Sequence, residues 1–205
     1  EDQTAFRGDS RYAARLAPGR TLASAGEESV MLDITKRGML ENLTLTKVNR
    51  VPPGPEQIEV RVRATGVNFR DVLNTLGMYP GDPGPLGSEC AGVVTALGPD
   101  VTEFAIGDKV VAMADRSFAT YVTVDTALVV PKPPNLTMAQ AAGVPVAYLT
   151  AGYALKTLGN VKPGQKVLIH AITGGVGMAA TQIALNMGAR VFGTAGTPEK
   201  RALAL

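Results

Sequence analysis

The stretch HAITGGVGMAATQ, residues 170 to 182, sets three glycines within four positions directly after the β-forming residues Val167, Leu168 and Ile169. A helical segment follows, MAATQIALNMG, and then a second apolar run, RVFGTAG. Strand, glycine loop, helix and strand in that order predict a β–loop–α–β unit, the opening of a parallel nucleotide-binding sheet. The chemistry is that of a helix N-terminus, where unpartnered N–H groups and the positive end of the helix dipole attract phosphate. A Cβ at Gly174 or Gly175 would hold a pyrophosphate away from those donors, and Gly177 lets the helix pack closely on the strand. The plainer alternative, which the order of strand, loop, helix and strand disfavours, is a tight strand-to-helix turn that merely needs glycine torsions.

The end of the second strand bears on which nucleotide fits. A site that prefers NAD carries Asp or Glu about 20 residues after the fingerprint, bonded to the ribose 2′-OH. Here the strand tip reads Thr194, Ala195, Gly196, and the first acid, Glu199, is followed at once by Lys200 and Arg201. A bare tip with two cations one turn later suits a dianionic 2′-phosphate, so NADPH is favoured over NADH. The plainer reading of Lys200 and Arg201 is a solvated start to a helix.

Upstream the texture differs. Residues 1–27 form a lead-in in which TAFR and RYAARL suit short strands about the GDS turn, before the loose APGRTLASAGEES. VMLDIT, LTLTKV, AGVVTALG, DKVVAM, FATYVTVD and ALVVPKPP read as short strands separated by Gly and Pro turns, which predicts a small barrel or sandwich. IEVRVRATGV alternates Ile58, Val60 and Val62 with Glu59, Arg61 and Arg63, the pattern of a half-buried strand. In NFRDVLNTLGMY, Phe69, Val72, Leu73 and Leu76 fall at helical spacing and Gly77 ends the run. From residue 135 the chain turns helical: Asn135 or Thr137 caps an Ala-rich helix, Pro145 opens another, and Gly159 stops it.

Composition excludes several classes of function. A formal net charge of +2 and 5% aromatic residues argue against nucleic acid and against an anionic membrane surface. One cysteine, Cys90, and one histidine, His170, are too few for a zinc site, and the single thiol fits a reducing cytoplasm. The charged N-terminus has no apolar signal region, and AAGVPVAYLTAGYAL, broken by Pro145, is too short to span a bilayer.

Four stretches carry a family resemblance: GVNFRDVLNTLGMYPGDPGPLGSECAGVVTALG, GDKVVAM, AAGVPVAYLTAGYAL and VLIHAITGGVGMAATQIALNMGARVFGTAGTPEKRAL. Together they resemble the medium-chain dehydrogenase/reductase superfamily, in particular the zinc-free, quinone-oxidoreductase-like enoylreductase domains of modular polyketide and fatty acid synthases. The opening EDQTAFRGDSRYAARL is similar to the linker that precedes such domains. The resemblance implies an α/β plus β-rich fold: a linker over residues 1–27, a GroES-like barrel domain over 28–134, and over 135–205 the start of a Rossmann domain. It also implies that the chain is truncated, because the remaining strands, the nicotinamide-side wall and a downstream Asp would follow Leu205. Where zinc-dependent relatives place Cys and His ligands, this chain has Asn68 and Ser88.

By the same resemblance, Asn68 reaches the nicotinamide end of NADPH and Thr150 sits on the helix beneath the cofactor. Gly174, Gly175, Val176 and Gly177 line the pyrophosphate, and Gly196 and Lys200 adjoin the 2′-phosphate. Tyr79 at the rim supplies an O–H, and Lys200 also matches a lysine proposed as proton donor. Plainer roles stand beside these: Asn68 as a helix cap, Tyr79 as packing, Arg70 and Asp71 as a local ion pair, His170 as structural. The implied reaction adds hydride to Cβ of an α,β-unsaturated thioester borne by an acyl carrier protein, with ketoreductase and dehydratase domains as neighbours. Quinone reductases carry a second tyrosine where this chain has Leu73, which weakens but keeps open a quinone or enone reductase. A non-catalytic scaffold remains the third reading.

Overall fold

A computed structural model describes residues 4–7, 10–13 and 28–204. At the N-terminus, β1 (Thr4–Arg7) and β2 (Ser10–Ala13) pair antiparallel with Thr4 opposite Ala13, the hairpin expected there. The loose stretch expected over residues 17–29 lies mostly outside the described residues.

Residues 30–131 are β-rich. β3 (Val30–Ile34) and β4 (Leu43–Lys47) form an antiparallel pair. β5 (Gln57–Thr65), β6 (Glu89–Leu97), β7 (Lys109–Met113), β8 (Tyr121–Asp125) and β9 (Val129–Pro131) form a five-stranded antiparallel sheet in the order β8–β5–β6–β7–β9. The pair is tied to this sheet through the Leu32 N–H on the Phe118 carbonyl and the Thr120 N–H on the Val30 carbonyl, each 2.8 Å. Ile58, Val60, Cys90, Val94 and Val110 fill the core without exposure. Burial pushes the Cys90 thiol up to about 12, with the neighbouring Glu89 charge adding to it, so this cysteine is a packing residue and a poor nucleophile.

The alternation along β5 holds for Ile58 and Val60 and fails at Glu59. That carboxylate, expected on the solvent face, is only 3% exposed. Arg50 Nε donates to its Oε2 at 2.9 Å, Arg50 Nη2 donates to Oε1, and Thr95 Oγ1 donates to Oε1 at 2.6 Å. The Arg50 guanidinium also lies 4.2 Å from the centre of the Tyr121 ring. Burial works to raise the Glu59 pKa, and the bonds from Arg50 and Thr95 and the Arg50 charge more than offset it, leaving it below the ordinary carboxylate value. A depressed folded pKa stabilises above the unfolded value and is lost as pH falls through the folded one. Arg50→Ala should therefore destabilise by about 1–3 kcal/mol at neutral pH, because it strips a buried acceptor of its main partner. The gap to wild type should close on acidification, as seen by denaturant titration at several pH values.

α1 (Phe69–Thr75) ends at the Leu76 cap, with Gly77 at φ 65°, as the spacing predicts. Its orientation is the reverse of an ordinary amphipathic helix. Asp71, Asn74 and Thr75 are buried, whereas Phe69 is 74% and Val72 40% exposed.

In the helical part, Thr137 rather than Asn135 caps α2 (Met138–Ala142), its Oγ1 accepting the Gln140 N–H at 3.2 Å. Pro145 opens α3 (Pro145–Gly152), which continues in wider π-helical turns over Tyr153–Leu158 to Gly159. β10 (Lys166–Ile169) and β11 (Arg190–Gly193) pair in parallel, with α4 (Gly175–Asn186) as the crossover and α5 (Pro198–Leu203) following. Ala151 on α3, Ala179 and Ala180 on α4 and Ile169 on β10 form one core. Small side chains there allow the helices and strand to approach closely.

Candidate functional site

The helix after the glycine loop starts earlier than its apolar spacing suggests. Gly174 is the N-cap of α4, and Gly175, Val176 and Gly177 are its first turn. The first intrahelical bond runs from the Met178 N–H to the Gly174 carbonyl at 2.8 Å. The N–H groups of Gly175, Val176 and Gly177 are thus the ones an α-helix leaves without internal partners. A Cβ built on Gly175 would meet nothing within 4 Å, so that side of the turn is open space. A Cβ on Gly177 would come 2.3 Å from the Ala171 carbonyl oxygen and 2.9 Å from the Ile172 backbone. Gly177 therefore serves close packing, as expected, though against the loop after β10 rather than the strand itself.

The parallel pairing brings the tips of β10 and β11 side by side. His170 Nδ1 lies 3.1 Å from Thr194 Oγ1, and the backbones of Ile169, Ile172 and Thr194 are cross-bonded at 3.0 Å. His170 thus ties two strand ends, in keeping with a structural role. Beyond the tip, a Cβ on Gly196 would meet nothing within 4 Å. Thr197 caps α5 by accepting the Lys200 N–H at 3.3 Å. Lys200 and Arg201 are exposed, and Arg201 Nε donates to the Thr197 carbonyl at 3.4 Å. An open helix N-terminus, a strand tip without a carboxylate and an exposed ammonium one turn on are compatible with a phosphorylated dinucleotide.

On the β-rich side, Asn68 is the N-cap of α1 and forms a capping box with Asp71, whose Oδ2 accepts the Asn68 N–H at 2.8 Å. The Asn68 amide also reaches outward from the helix: its Nδ2 donates to Glu89 Oε1 at 2.9 Å. The local Arg70–Asp71 pair does not form. Asp71, 3% exposed, takes the Gly87 N–H on Oδ1 at 2.9 Å, while Arg70 donates to Ser88 Oγ at 3.1 Å and to the Pro83 carbonyl at 2.5 Å. The backbone turn at Gly87 presents its N–H to Asp71, and this outcompetes a solvated pair between adjacent residues. The Arg70 guanidinium lies 5.8 Å from the centre of the half-buried Tyr79 ring. Thr150 is exposed near the end of α3. Tyr79 and Lys200 stand on different parts of the chain, the first beside α1 and the second on α5.

Two buried carboxylates, Asp71 and Glu89, escape a reading of the sequence as site features. Both bond to groups distant along the chain, which no local pattern reports. A cleft of about 770 Å³ lies between β7, β9 and α3 and is walled by Val111, Met113, Leu128, Val130 and Leu149. None of the candidate site residues lines it. Tyr148, Tyr153, Lys156 and Thr157 add polar groups to its apolar walls.

Residues 54–134 match the alcohol dehydrogenase GroES-like domain. The chain is 46% identical over 215 aligned positions to a phthioceranic/hydroxyphthioceranic acid synthase of Mycobacterium bovis (strain BCG / Pasteur 1173P2), covering 99% of this chain and 10% of that protein. Among solved structures it is similar to the CurK enoyl reductase, with a TM-score of 0.81 and 36% identity over 86% of this chain and 57% of that one. A mycobacterial protein solved in complex with NADPH is 35% identical, with a TM-score of 0.75, over 85% of this chain and 55% of that one. The solved structures it resembles include enoyl reductases and quinone oxidoreductases of the medium-chain dehydrogenase/reductase superfamily. The chain spans about a tenth of the length of the curated relatives it matches. No helix among the described residues is long and apolar enough to cross a membrane.

Proposed function

We propose that this chain forms the first part of an NADPH-dependent enoyl reductase of a polyketide synthase. It would saturate the α,β-double bond of an enoyl thioester on an acyl carrier protein, in the cytoplasm and beside domains such as a ketoreductase and a dehydratase. Residues 1–27 are read as linker, 28–134 as the substrate domain and 135–205 as the opening of the cofactor domain. The observation that carries this is the open first turn of α4, where nothing would meet a Cβ at Gly175, together with the tip of β11 after that helix, which lacks a carboxylate. The similarity to a polyketide synthase and to a solved enoyl reductase supports the choice of reaction.

Bound NADPH supplies the hydride. The N–H groups of Gly175, Val176 and Gly177 hold the pyrophosphate beyond the Gly174 cap, and Lys200 meets the 2′-phosphate where Gly196 leaves room. Asn68 and Thr150 orient the nicotinamide end. As charge develops on the thioester oxygen, the Tyr79 O–H is the donor on the substrate side, with the Arg70 guanidinium 5.8 Å from its ring centre. Lys200 as proton donor would have to leave the phosphate, so its binding role comes first.

The test follows loss of NADPH absorbance with a crotonyl thioester and with free quinones. The thioester should be turned over at least about tenfold better in kcat/KM, a discrimination of about 1.4 kcal/mol. The opposite preference would establish a quinone reductase. NADP⁺ at about 100 times its Kd should raise the unfolding free energy by about 2.7 kcal/mol. No thermal shift and no heat of binding would leave the scaffold reading.

A further inference from the structure

We infer that Glu89 is a positioning residue that couples Asn68 to the first turn of α3, so that both sides of the nicotinamide end are set by one buried carboxylate. The inference rests on the cofactor reading above.

Glu89 is the first residue of β6 and is 2% exposed. Its two oxygens serve different parts of the chain. Oε1 accepts from Asn68 Nδ2 at 2.9 Å, and Oε2 accepts from the Val146 N–H at 2.8 Å, in the first turn of α3. The backbone around it is held as well: the Glu89 N–H donates to Ser117 Oγ at 3.1 Å, and its carbonyl accepts from Thr65 Oγ1 at 2.8 Å. No Lys, Arg or His forms a salt bridge with it among the described residues. Two N–H donors and the positive end of α3 are what face this carboxylate.

The surroundings are cut to this side chain. A Cβ on Gly66 would lie 2.2 Å from Glu89 Oε1, so glycine at 66 is the space the carboxylate occupies. A polar group buried this fully costs free energy unless its bonds are made, and here both oxygens are used. A carboxylate can accept on both oxygens, whereas an amide of the same shape accepts on one and donates from the other. The requirement at this position is therefore two acceptors pointed at two halves of the chain.

The consequence for the site follows from amide geometry. With one N–H of the planar Asn68 amide committed to Glu89, the direction of the second N–H is set, and that is the group offered to the cofactor. Val146 lies four residues before Thr150 on the same helix, about one turn, so the bond to its N–H also fixes the stretch that carries Thr150. Glu89 acts through these residues and need not touch the reacting atoms.

The test compares the whole protein as wild type, Glu89→Gln, Asn68→Ala and the double variant. Glu89→Gln should lower kcat about 10- to 100-fold, the cost of a misplaced reacting group, while KM for NADPH stays within about threefold. NADPH deuterated at the transferred position should show a larger kinetic isotope effect in the variant, because hydride transfer becomes more rate-limiting. In the Asn68→Ala background the same substitution should cost less than in wild type, the remainder passing through α3. Without cofactor, amide exchange across residues 144–149 should quicken at least about tenfold in Glu89→Gln. Glu89→Asp, which keeps the charge and shortens the reach, takes the place of the Gln variant if that fails to fold, with the same expectations. Wild-type kcat and exchange in either variant would overturn the inference, as would full additivity with Asn68→Ala. A wild-type protein with no NADPH turnover would instead overturn the proposed function, and the cofactor-free exchange would still decide whether Glu89 couples the two halves.

Discussion

Gly177→Ala and Gly175→Ala, two residues apart, should have opposite effects on stability, and Gly175→Ala should weaken cofactor binding. At Gly177 the new methyl would stand 2.3 Å from the Ala171 carbonyl oxygen, a backbone atom that cannot swing aside. The loop between β10 and α4 must shift, and overpacking of this kind costs about 1–3 kcal/mol. At Gly175 the methyl meets nothing, and alanine in a helix is favoured over glycine by about 1 kcal/mol, so the fold should hold or gain. Yet that methyl occupies the space in which a pyrophosphate would approach the N–H groups, so Gly175→Ala should bind NADP⁺ at least about tenfold more weakly, or 1.4 kcal/mol. Thermal unfolding and calorimetric titration of the two variants separate the effects. A Gly175→Ala protein that is stable and binds NADP⁺ like wild type would remove the phosphate cradle from the proposal.

Lys200→Ala should raise KM for NADPH by about 10- to 100-fold, since a charge-assisted bond to phosphate is worth about 1.5–3 kcal/mol. KM for NADH, which has a hydroxyl at that point, should change little. The side chain is exposed on a short helix, so the fold should be unaffected. The result also separates the two roles the lysine can play. A phosphate ligand shows in KM and in the NADPH-to-NADH ratio, and saturating NADPH restores kcat. A proton donor lowers kcat with either cofactor at saturation. Equal losses with NADPH and NADH would rule out the 2′-phosphate role.

The β–loop–α–β unit was legible because its signals are local: β-formers, a glycine cluster, an Ala-rich helix and a second apolar run. The Pro145 helix start and the Thr137 cap are local in the same sense. Glu59 and Glu89 were not legible, because a single acid in an apolar stretch looks the same whether it faces water or a partner. Glu59 is buried by Arg50, nine residues earlier, and Thr95, 36 residues later. Glu89 is bonded to residues 21 and 57 positions away. Helical spacing showed that Phe69 and Val72 share a face of α1 but could not say which way that face points. Asp71 and Asn74 decided it by bonding inward.

That inversion has an evolutionary consequence. Polar bonds fasten α1 to its surroundings, among them Asp71 to Gly87, Arg70 to Ser88 and Pro83, Asn74 to Arg37 and Gly84, and the Thr75 carbonyl to the Gly38 N–H. None of them involves Phe69 or Val72. The two outward side chains can therefore be exchanged for larger, smaller or more polar ones at little cost to the scaffold. A lineage could retune what lies against this helix one substitution at a time, without first acquiring stability elsewhere.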